Sequence, residues 1–188
     1  LITGASGFIG SRLIIKSILK GHEVIATSRK TSKSLEKELS TNIFSLDLLD
    51  KKQTEEFNQP VETIVHTATA NDIVSKDLFK GINLSVNGTI NLLELANRLK
   101  IKNIIFISTL QVYGQELEGI YSENSPLNCQ SPYALNHFLG EEICKYYFKN
   151  KGLNVLILRP SNVFGVPDSK STDRSTLVPI CFVKEIMA

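Results

Sequence analysis

Apolar runs of strand length alternate with amphipathic helical patterns along most of the chain. The apolar runs predict six strands, over residues 1–3, 23–28, 42–46, 63–66, 103–108 and 154–159. Several are continuous runs of Val, Ile, Leu and Phe, which is typical of strands that helices bury on both faces. The helical period is clearest over residues 89–100, where Ile90, Leu93 and Ala96 recur on one face. This alternation predicts an α/β fold with a doubly wound parallel sheet.

Composition narrows the class of protein. The 188 residues are 42% hydrophobic and 21% charged, and the formal net charge is only +2. These values are ordinary for a globular domain, and without a basic stripe they argue against a nucleic-acid partner. No apolar stretch approaches the roughly 18 residues of a membrane span, so we expect no membrane contact. Cys129, Cys144 and Cys181 lie far apart without metal-ligand spacing, which favours reduced thiols, a cytoplasmic location and no metal site.

A glycine-rich turn joins the first predicted strand to a helix predicted over residues 8–20. Its three glycines, Gly4, Gly7 and Gly10, recur at three-residue intervals in the segment TGASGFIG. Such glycines allow a sharp turn, close approach of the backbone to a pyrophosphate, and close packing of helix on strand. Because a strand and a helix flank the turn correctly, we interpret it as the pyrophosphate site of NAD or NADP rather than a purely structural turn. The predicted contacts are Gly4, Ser6, Gly7, Phe8, Ile9 and Gly10.

The end of the second predicted strand bears on the choice of cofactor. Proteins that prefer NAD usually have a carboxylate there, which binds the ribose hydroxyls. This chain has Ser28, followed by Arg29 and Lys30. A hydroxyl beside two cations suits the 2′-phosphate of NADP, because guanidinium binds phosphate through charge-assisted, bidentate hydrogen bonds. We therefore favour NADP and keep NAD as the alternative; a solvated basic turn without a ligand would explain the same residues.

Ordered motifs along nearly the whole chain resemble those of the extended short-chain dehydrogenase/reductase superfamily. Besides the glycine turn, they are Asp47-Leu48, His66-Thr67-Ala68, STLQVYG over 108–114, Ser131-Pro132-Tyr133 and RPSNVFG over 159–165. The most similar pattern is that of the NAD(P)-dependent epimerase/dehydratase family, whose members act on nucleotide sugars. The resemblance implies a Rossmann-type NAD(P)-binding domain over residues 1–166. Residues 167–188 would begin a C-terminal substrate-binding lobe that is largely missing.

The resemblance also implies roles in cofactor binding. Asp47 and Leu48 match the pair that contacts adenine, and His66 and Ala68 match the segment that borders the nicotinamide. Pro160 matches a position beside the cofactor. Two copies of the chain would pair through the helices predicted over 89–100 and 131–150, as members of the family often do.

The catalytic positions follow from the same resemblance. Tyr133 would remove or supply the proton of a hydroxyl while hydride passes between a substrate carbon and the nicotinamide. Thr109 would donate a hydrogen bond to the substrate oxygen, with Ser108 as the alternative donor. The residues left to contact substrate are Gln111 and Asn162. Ser131 as helix cap and Pro132 in the first helical position independently place Tyr133 in the first turn of a helix.

The chain departs from the family four residues after Tyr133. The family has a lysine there, whose charge lowers the pKa of the tyrosine and whose amine binds the nicotinamide ribose, whereas this chain has His137. Positions i and i+4 share a helix face, so His137 can occupy the same place and donate one hydrogen bond to the ribose. A free tyrosine titrates near ~10 and a free histidine near ~6.5, so a neutral histidine helps less. Three alternatives stay open: a working Tyr–His enzyme with an alkaline optimum, a weak or specialised enzyme, and a binding protein without turnover.

A second departure concerns the type of reaction. The 4,6-dehydratases of the family have an Asp-Glu pair directly after the catalytic threonine, where this chain has Leu110 and Gln111. Neither side chain can act as an acid or a base. The sequence therefore favours 4-epimerisation, or net oxidation or reduction, of a nucleotide sugar. Two alternatives remain: an NADP-dependent reductase of another carbonyl substrate, and a non-catalytic dinucleotide-binding sensor.

Overall fold

Six parallel strands form one sheet in the computed structural model, which describes residues 1–115 and 118–165. The strands are β1 (Ile2–Thr3), β2 (Ala26–Ser28), β3 (Ile43–Ser45), β4 (Thr63–His66), β5 (Asn103–Ile107) and β6 (Asn154–Leu158). Their order across the sheet is β3-β2-β1-β4-β5-β6, and all neighbouring strands run parallel. This is the order of a doubly wound Rossmann-type sheet, so the predicted fold class is confirmed.

Helices connect the strands in the order that the sequence predicts. They are α1 (Phe8–Leu19), α2 (Lys33–Leu39), α3 (Lys51–Glu56), α4 (Asp72–Ser75), α5 (Leu78–Ile82), α6 (Gly88–Arg98) and α7 (Pro132–Lys151). A π-helical turn (Asn83–Asn87) joins α5 to α6, and a 3-10 turn (Leu110–Tyr113) follows β5. None of the helices within the described residues is long and apolar enough to cross a bilayer. The region predicted to begin a second domain, 167–188, lies outside these residues.

Side-chain caps fix the starts of most of the short helices and of α7. In each case the cap accepts a hydrogen bond from the backbone N–H three residues later; the caps are Ser32, Asp50, Asn71, Asp77 and Ser131. A cap of this kind is worth about 1 kcal/mol of helix stability. Helix α1 begins differently, because its N-cap is Gly7, which has no side chain to offer.

Two hydrophobic clusters join the helices to the sheet. One lies beside β1–β3 and includes Ile14 and Leu39; the other lies beside β4–β6 and includes Ile64 and Phe106. Gly140 brings α7 close to this second cluster, since a Cβ at that position would lie only 2.6 Å from Cζ of Phe106. Phe106 is fully buried and has no room to move aside. The absence of a side chain at Gly140 therefore sets the distance between α7 and β5.

Candidate active site

A cavity of about 560 Å³ lies at the carboxyl ends of the strands. Residues at the end of each of the six strands, or within two residues after it, contribute to its described walls: Gly4, Ser28, Leu46, Thr67, Thr109 and Pro160. In doubly wound sheets, ligands bind at this edge, where the strand order reverses. Here the reversal falls between β1 and β4. The cavity is therefore the candidate binding site.

The structure brings most of the predicted site residues together. Those that line the cavity are Gly4, Ser6, Gly7, Phe8, Ile9, Ser28, Arg29, Leu48, Ala68, Thr109, Gln111, Tyr133, Pro160 and Asn162. The predicted residues that are not among its described walls are Gly10, Asp47, His66, Ser108 and His137. Each of these five has a different structural position.

The cavity wall also includes residues that the sequence did not predict. The missed residues are Thr3, Thr27, Leu46, Thr67, Thr69, Ala70, Asn71, Asp72, Ile73, Val74, Leu84, Ser161 and Val163. Those at strand ends, such as Thr3, Leu46 and Thr67, follow from the general rule that parallel strands present their carboxyl ends to ligands. No sequence signal identifies Leu84, because only the packing of the π-helical turn brings it to the cavity.

The glycine turn forms a cradle of backbone atoms in the cavity wall where β1 ends, in the middle of the sheet. Gly4 has a φ of +73°, and a Cβ there would lie 2.8 Å from Oγ1 of Thr67. The N–H of Gly7 donates to the carbonyl of Gly4 over 2.8 Å, which closes the turn. A Cβ at Gly10 would collide with that same carbonyl, so Gly10 serves the packing of α1 on β1 rather than the wall. The uncapped first turn of α1 lines the cavity, and this donor set fits a pyrophosphate.

The end of β2 adds two hydroxyls and a cation to the wall. The Oγ atoms of Ser6 and Ser28 are hydrogen-bonded over 3.2 Å, which joins the glycine turn to β2. Ser28 is buried, and the exposed Arg29 follows it on the rim. Hydroxyl and guanidinium groups together are suited to a phosphate group.

Asp47 stabilises the loop after β3 instead of lining the cavity. Its carboxylate accepts a hydrogen bond from the N–H of Leu49 over 3.0 Å, and its own N–H donates to Oε1 of Gln53 over 2.9 Å. The neighbouring side chains of Leu46 and Leu48 line the cavity and are buried. The wall on this side is therefore apolar, as the flat face of an adenine ring requires.

His66 is buried and is not among the described residues that line the cavity. Its Nε2 is 3.0 Å from Oγ1 of Thr89, whose hydroxyl donates to the carbonyl of Ser85, so Nε2 carries the proton. Burial lowers the pKa of His66 to about 3, with a smaller contribution from His137, and the ring is neutral. Its Nδ1 therefore accepts from the hydroxyl of Thr3 over 2.9 Å. His66 joins β1, β4 and α6, and the residues that face the cavity at this strand end are Thr67 and Ala68.

Thr109 and Tyr133 line the part of the cavity beside β5 and α7, together with Gln111. Thr109 follows β5, and its Oγ1 accepts from the N–H of Gln111 over 3.3 Å, which starts the 3-10 turn. Tyr133 is in the first turn of α7, where the cap formed by Ser131 places it, as predicted from the sequence. A phenol, a hydroxyl and an amide thus share one cavity with the glycine cradle.

Ser108 points in a different direction from Thr109. Its Oγ donates to Oε1 of Glu141 on α7 over 2.5 Å, and the side chain is buried. Successive residues of an extended chain project to opposite sides, which explains why only one of these hydroxyls faces the cavity. The sequence predicts Ser108 as an alternative hydrogen-bond donor to the substrate oxygen. In the structure its hydroxyl donates to Glu141 instead.

His137 lies behind Tyr133, with 3% of its surface exposed. The two rings contact edge to face with centroids 4.5 Å apart, and the ring centroid of Phe106 is 6.3 Å from that of His137. Within the part of the chain that the structure describes, neither ring nitrogen has a hydrogen-bond partner. Burial lowers the pKa of His137 to about 4, although the carboxylate of Glu141 and the carbonyl of Ile107 oppose this shift. The ring is therefore neutral at pH 7.

Together, the strand order, the glycine cradle and the tyrosine and threonine that share its cavity define a dinucleotide-binding domain of the short-chain dehydrogenase/reductase superfamily. The family model described as the NAD dependent epimerase/dehydratase family matches residues 1–185. The chain belongs to this family, as the sequence motifs predicted.

Similar proteins include epimerases and dehydratases. A protein of Methanocaldococcus jannaschii with the name "Putative UDP-glucose 4-epimerase" is 34% identical over 171 residues, which cover 88% of this chain and 56% of that protein. A solved dTDP-glucose 4,6-dehydratase of Streptomyces venezuelae, a double mutant with NAD bound, has a TM-score of 0.85 at 26% identity, covering 99% of this chain and 61% of that one. A UDP-glucuronic acid 4-epimerase of Bacillus cereus, in complex with UDP-glucuronic acid and NAD, has a TM-score of 0.80 at 26% identity, with 99% and 62% covered. This chain thus spans about three fifths of these relatives.

The burial of His137 predicts a specific dependence of stability on pH. A histidine takes up a proton below about pH 6.5 in an unfolded chain, whereas His137 stays neutral in the fold down to about pH 4. Because only the unfolded chain takes up this proton, the free energy of unfolding falls by roughly 3 kcal/mol as the pH falls from 6.5 to 4. We expect His137→Phe to remove this loss, because it leaves an apolar ring in the same place. Urea unfolding at a series of pH values should show that the free energy of unfolding of the variant rises relative to that of the parent as the pH falls.

The matched control is His22→Phe, which changes an exposed histidine and no buried ring. Parallel stability curves for the parent and His137→Phe between pH 7 and 4.5 would contradict the expected cost of protonating His137.

Proposed function

We propose that this chain is the cofactor-binding part of an NAD(P)-dependent enzyme that acts by hydride transfer on a hydroxyl or carbonyl group of a nucleotide sugar. The observation that supports this best is that Tyr133 and Thr109 share one cavity with the glycine cradle. The epimerases and dehydratases among its relatives support the same chemistry. Among the reactions of the family, we favour 4-epimerisation.

The residues of the cavity have separate roles in cofactor binding and in proton transfer. The cradle at Gly4 and Gly7 would hold the pyrophosphate of the dinucleotide, whose nicotinamide would supply the hydride chemistry. Tyr133 takes the proton from the substrate hydroxyl and later gives it back. The hydroxyl of Thr109 donates to the same substrate oxygen and stabilises the negative charge that develops there.

The residues that follow Thr109 favour an epimerase or a reductase over a dehydratase. Elimination of water requires an acid and a base beside the sugar, and the residues after Thr109 are Leu110 and Gln111. Gln111 lines the cavity, where its amide can bind a sugar hydroxyl but cannot transfer a proton at neutral pH. Epimerisation needs only hydride transfer and one acid–base group, which Tyr133 supplies.

His137 defines how this enzyme would differ from its relatives. A tyrosine that acts as a base at neutral pH needs a nearby positive charge, since a free phenol titrates near ~10. His137 is neutral and buried, so it gives Tyr133 support by packing and no charge. We therefore propose a Tyr–His enzyme with an alkaline optimum. The same observation favours the second candidate, a dinucleotide-binding sensor that binds the cofactor without turnover.

We further propose that NADP is the preferred cofactor. Ser6, Ser28 and Arg29 form the part of the wall where a 2′-phosphate would lie. The two solved relatives described above contain NAD. The preference therefore depends on this chain's own residues, and chiefly on the guanidinium of Arg29.

The central test uses the full-length protein, loaded with NAD or NADP, and tritium at C4 of UDP-glucose. We expect interconversion of UDP-glucose and UDP-galactose, followed by NMR, and transient transfer of label to the cofactor. Tyr133→Phe should lower kcat by about a hundredfold or more, as loss of an acid–base group does, and leave the cofactor Kd unchanged. Tyr146→Phe makes the same chemical change at an exposed site on the same helix and should have no effect. Tight cofactor binding without hydride transfer to any nucleotide sugar or other carbonyl would identify a sensor.

A lysine at position 137 should restore the missing charge. We expect His137→Lys to raise kcat at pH 7 and to move the pH optimum of kcat toward neutrality, because an ammonium beside Tyr133 favours the phenolate. The measurement is kcat from pH 6 to 10. Asn150→Lys adds the same charge at an exposed position of α7 and controls for net charge. An unchanged rate and an unchanged optimum in His137→Lys would refute the electrostatic explanation.

Removing the guanidinium should change cofactor preference. We expect Arg29→Ser to raise the Kd for NADP by about tenfold to a hundredfold, the usual worth of a charged hydrogen bond, and to leave the Kd for NAD unchanged. Competition titrations followed by nucleotide fluorescence measure both constants. Lys30→Ser removes an adjacent charge that is not among the described walls and should have a smaller effect. A parent protein that prefers NAD would rule out this role for Arg29.

A further inference from the structure

A buried carboxylate links α7 to the ends of β5 and β6. Glu141 has no exposed surface, and both of its oxygens accept hydrogen bonds. Arg159 donates to Oε1 from Nε over 2.9 Å and to Oε2 from Nη2 over 2.6 Å, while Ser108 donates to Oε1 over 2.5 Å. Paired contacts of this kind fix the orientation of both side chains, because guanidinium and carboxylate are planar.

Arg159 extends this network to the segment after β5. Its Nη1 donates to the phenol oxygen of Tyr113 over 2.5 Å, and the guanidinium lies 4.9 Å from the centre of that ring. The same nitrogen is 3.5 Å from the carbonyl of Glu123, which belongs to the loop before α7. The hydrogen bonds with Glu141 raise the pKa of Arg159, which keeps its charge. One guanidinium therefore holds the end of the 3-10 turn, the loop and α7.

The backbone on both sides of Thr109 is also fixed. The N–H of Ser108 donates to the carbonyl of Leu158 over 2.7 Å, and the N–H of Leu110 donates to the carbonyl of Pro160 over 2.9 Å. These bonds continue the pairing of β5 with β6 beyond the last strand residue. Thr109 lies between two anchored residues, and the side chain of one of them is held by Glu141.

Stability alone is a poor explanation for this arrangement. Burying an ion pair costs desolvation that its attraction hardly exceeds, and apolar residues of the same size often stabilise a fold as well or better. Directional hydrogen bonds, in contrast, fix positions. Glu141 lies eight residues after Tyr133 on the same helix, so the helix that carries the proposed acid–base group also holds the strand end that carries Thr109.

We propose that Glu141, oriented by Arg159, is a positioning residue that acts through Ser108 to hold the hydroxyl of Thr109 at a fixed place relative to Tyr133. The catalytic part of this inference rests on the function proposed above. The positional part does not, and the two parts can be tested separately.

The positional part is tested by hydrogen exchange in the full-length protein. Ser108→Ala removes one hydroxyl and leaves the ion pair intact. We expect amide exchange in a peptide spanning residues 107–114 to become at least tenfold faster, while β2 and β3 remain protected as in the parent, because opening is local. Thr54→Val removes a buried hydroxyl whose bond lies within α3 and should leave peptide 107–114 unchanged. Unchanged exchange of this peptide in Ser108→Ala would overturn the proposal, whatever the activity of the protein.

The catalytic part is tested by kinetics with the substrate that the parent converts. We expect Ser108→Ala to lower kcat by on the order of tenfold to a hundredfold, as small displacements of reacting groups do, with little change in KM or cofactor Kd. Ser108→Thr keeps the hydroxyl and should recover most of the rate. Arg159→Lys loses the planar, paired contact with the carboxylate, and its effect on kcat should not multiply with that of Ser108→Ala, since both act on the same path.

Several outcomes would overturn the catalytic part. These are equal losses in kcat and in cofactor affinity, multiplicative effects in the double variant, and full rate in Ser108→Ala despite faster exchange. A parent protein that converts no substrate would instead refute the proposed function, and hydrogen exchange would still decide whether Glu141 positions Thr109.

Discussion

The close approach of α7 to β5 is the constraint on which the candidate active site depends. Gly140 permits it, because any side chain there would strike the buried ring of Phe106. Helix α7 carries Tyr133 in its first turn, His137 in its second and Glu141 in its third. All three side chains keep their places only while the helix axis stays at this distance from the sheet. A glycine outside every recognisable motif thus sets the geometry of residues that lie within one.

The sequence predicts the fold well, and the reasons are local. Continuous apolar runs, the spacing of Gly4, Gly7 and Gly10, and the Ser131-Pro132 cap all act within a few residues of where they occur. The observed strands are up to three residues shorter than the apolar runs, since β2 begins at Ala26 where the run begins at residue 23. A run of apolar residues marks what is buried, and pairing with neighbouring strands decides which of those residues belong to the ladder.

The site is less predictable, because a motif identifies a residue but not the direction of its side chain. His66 and Ser108 both lie in recognisable motifs, yet their partners are Thr89 and Glu141, at separations of 23 and 33 residues. Neither partner can be identified without the fold. Tyr133 and Thr109 are placed correctly by the sequence, because a helix cap and a strand end fix them within their own segments. The environment of His137 is also a tertiary property: the sequence shows a histidine, and only packing against Phe106 shows that it is neutral.

The lack of a side-chain cap at the start of α1 has a thermodynamic consequence. The short helices α2 to α5 complete their first turns with a side chain of their own, whereas α1 begins after Gly7 and has no side-chain cap. A bound anion at this end would accept hydrogen bonds from the first N–H groups of α1. The dinucleotide proposed above would stabilise this helix end, and by mass action the folded state would become more favourable as its concentration rises. The stability of the domain would then report how much of the nucleotide is bound.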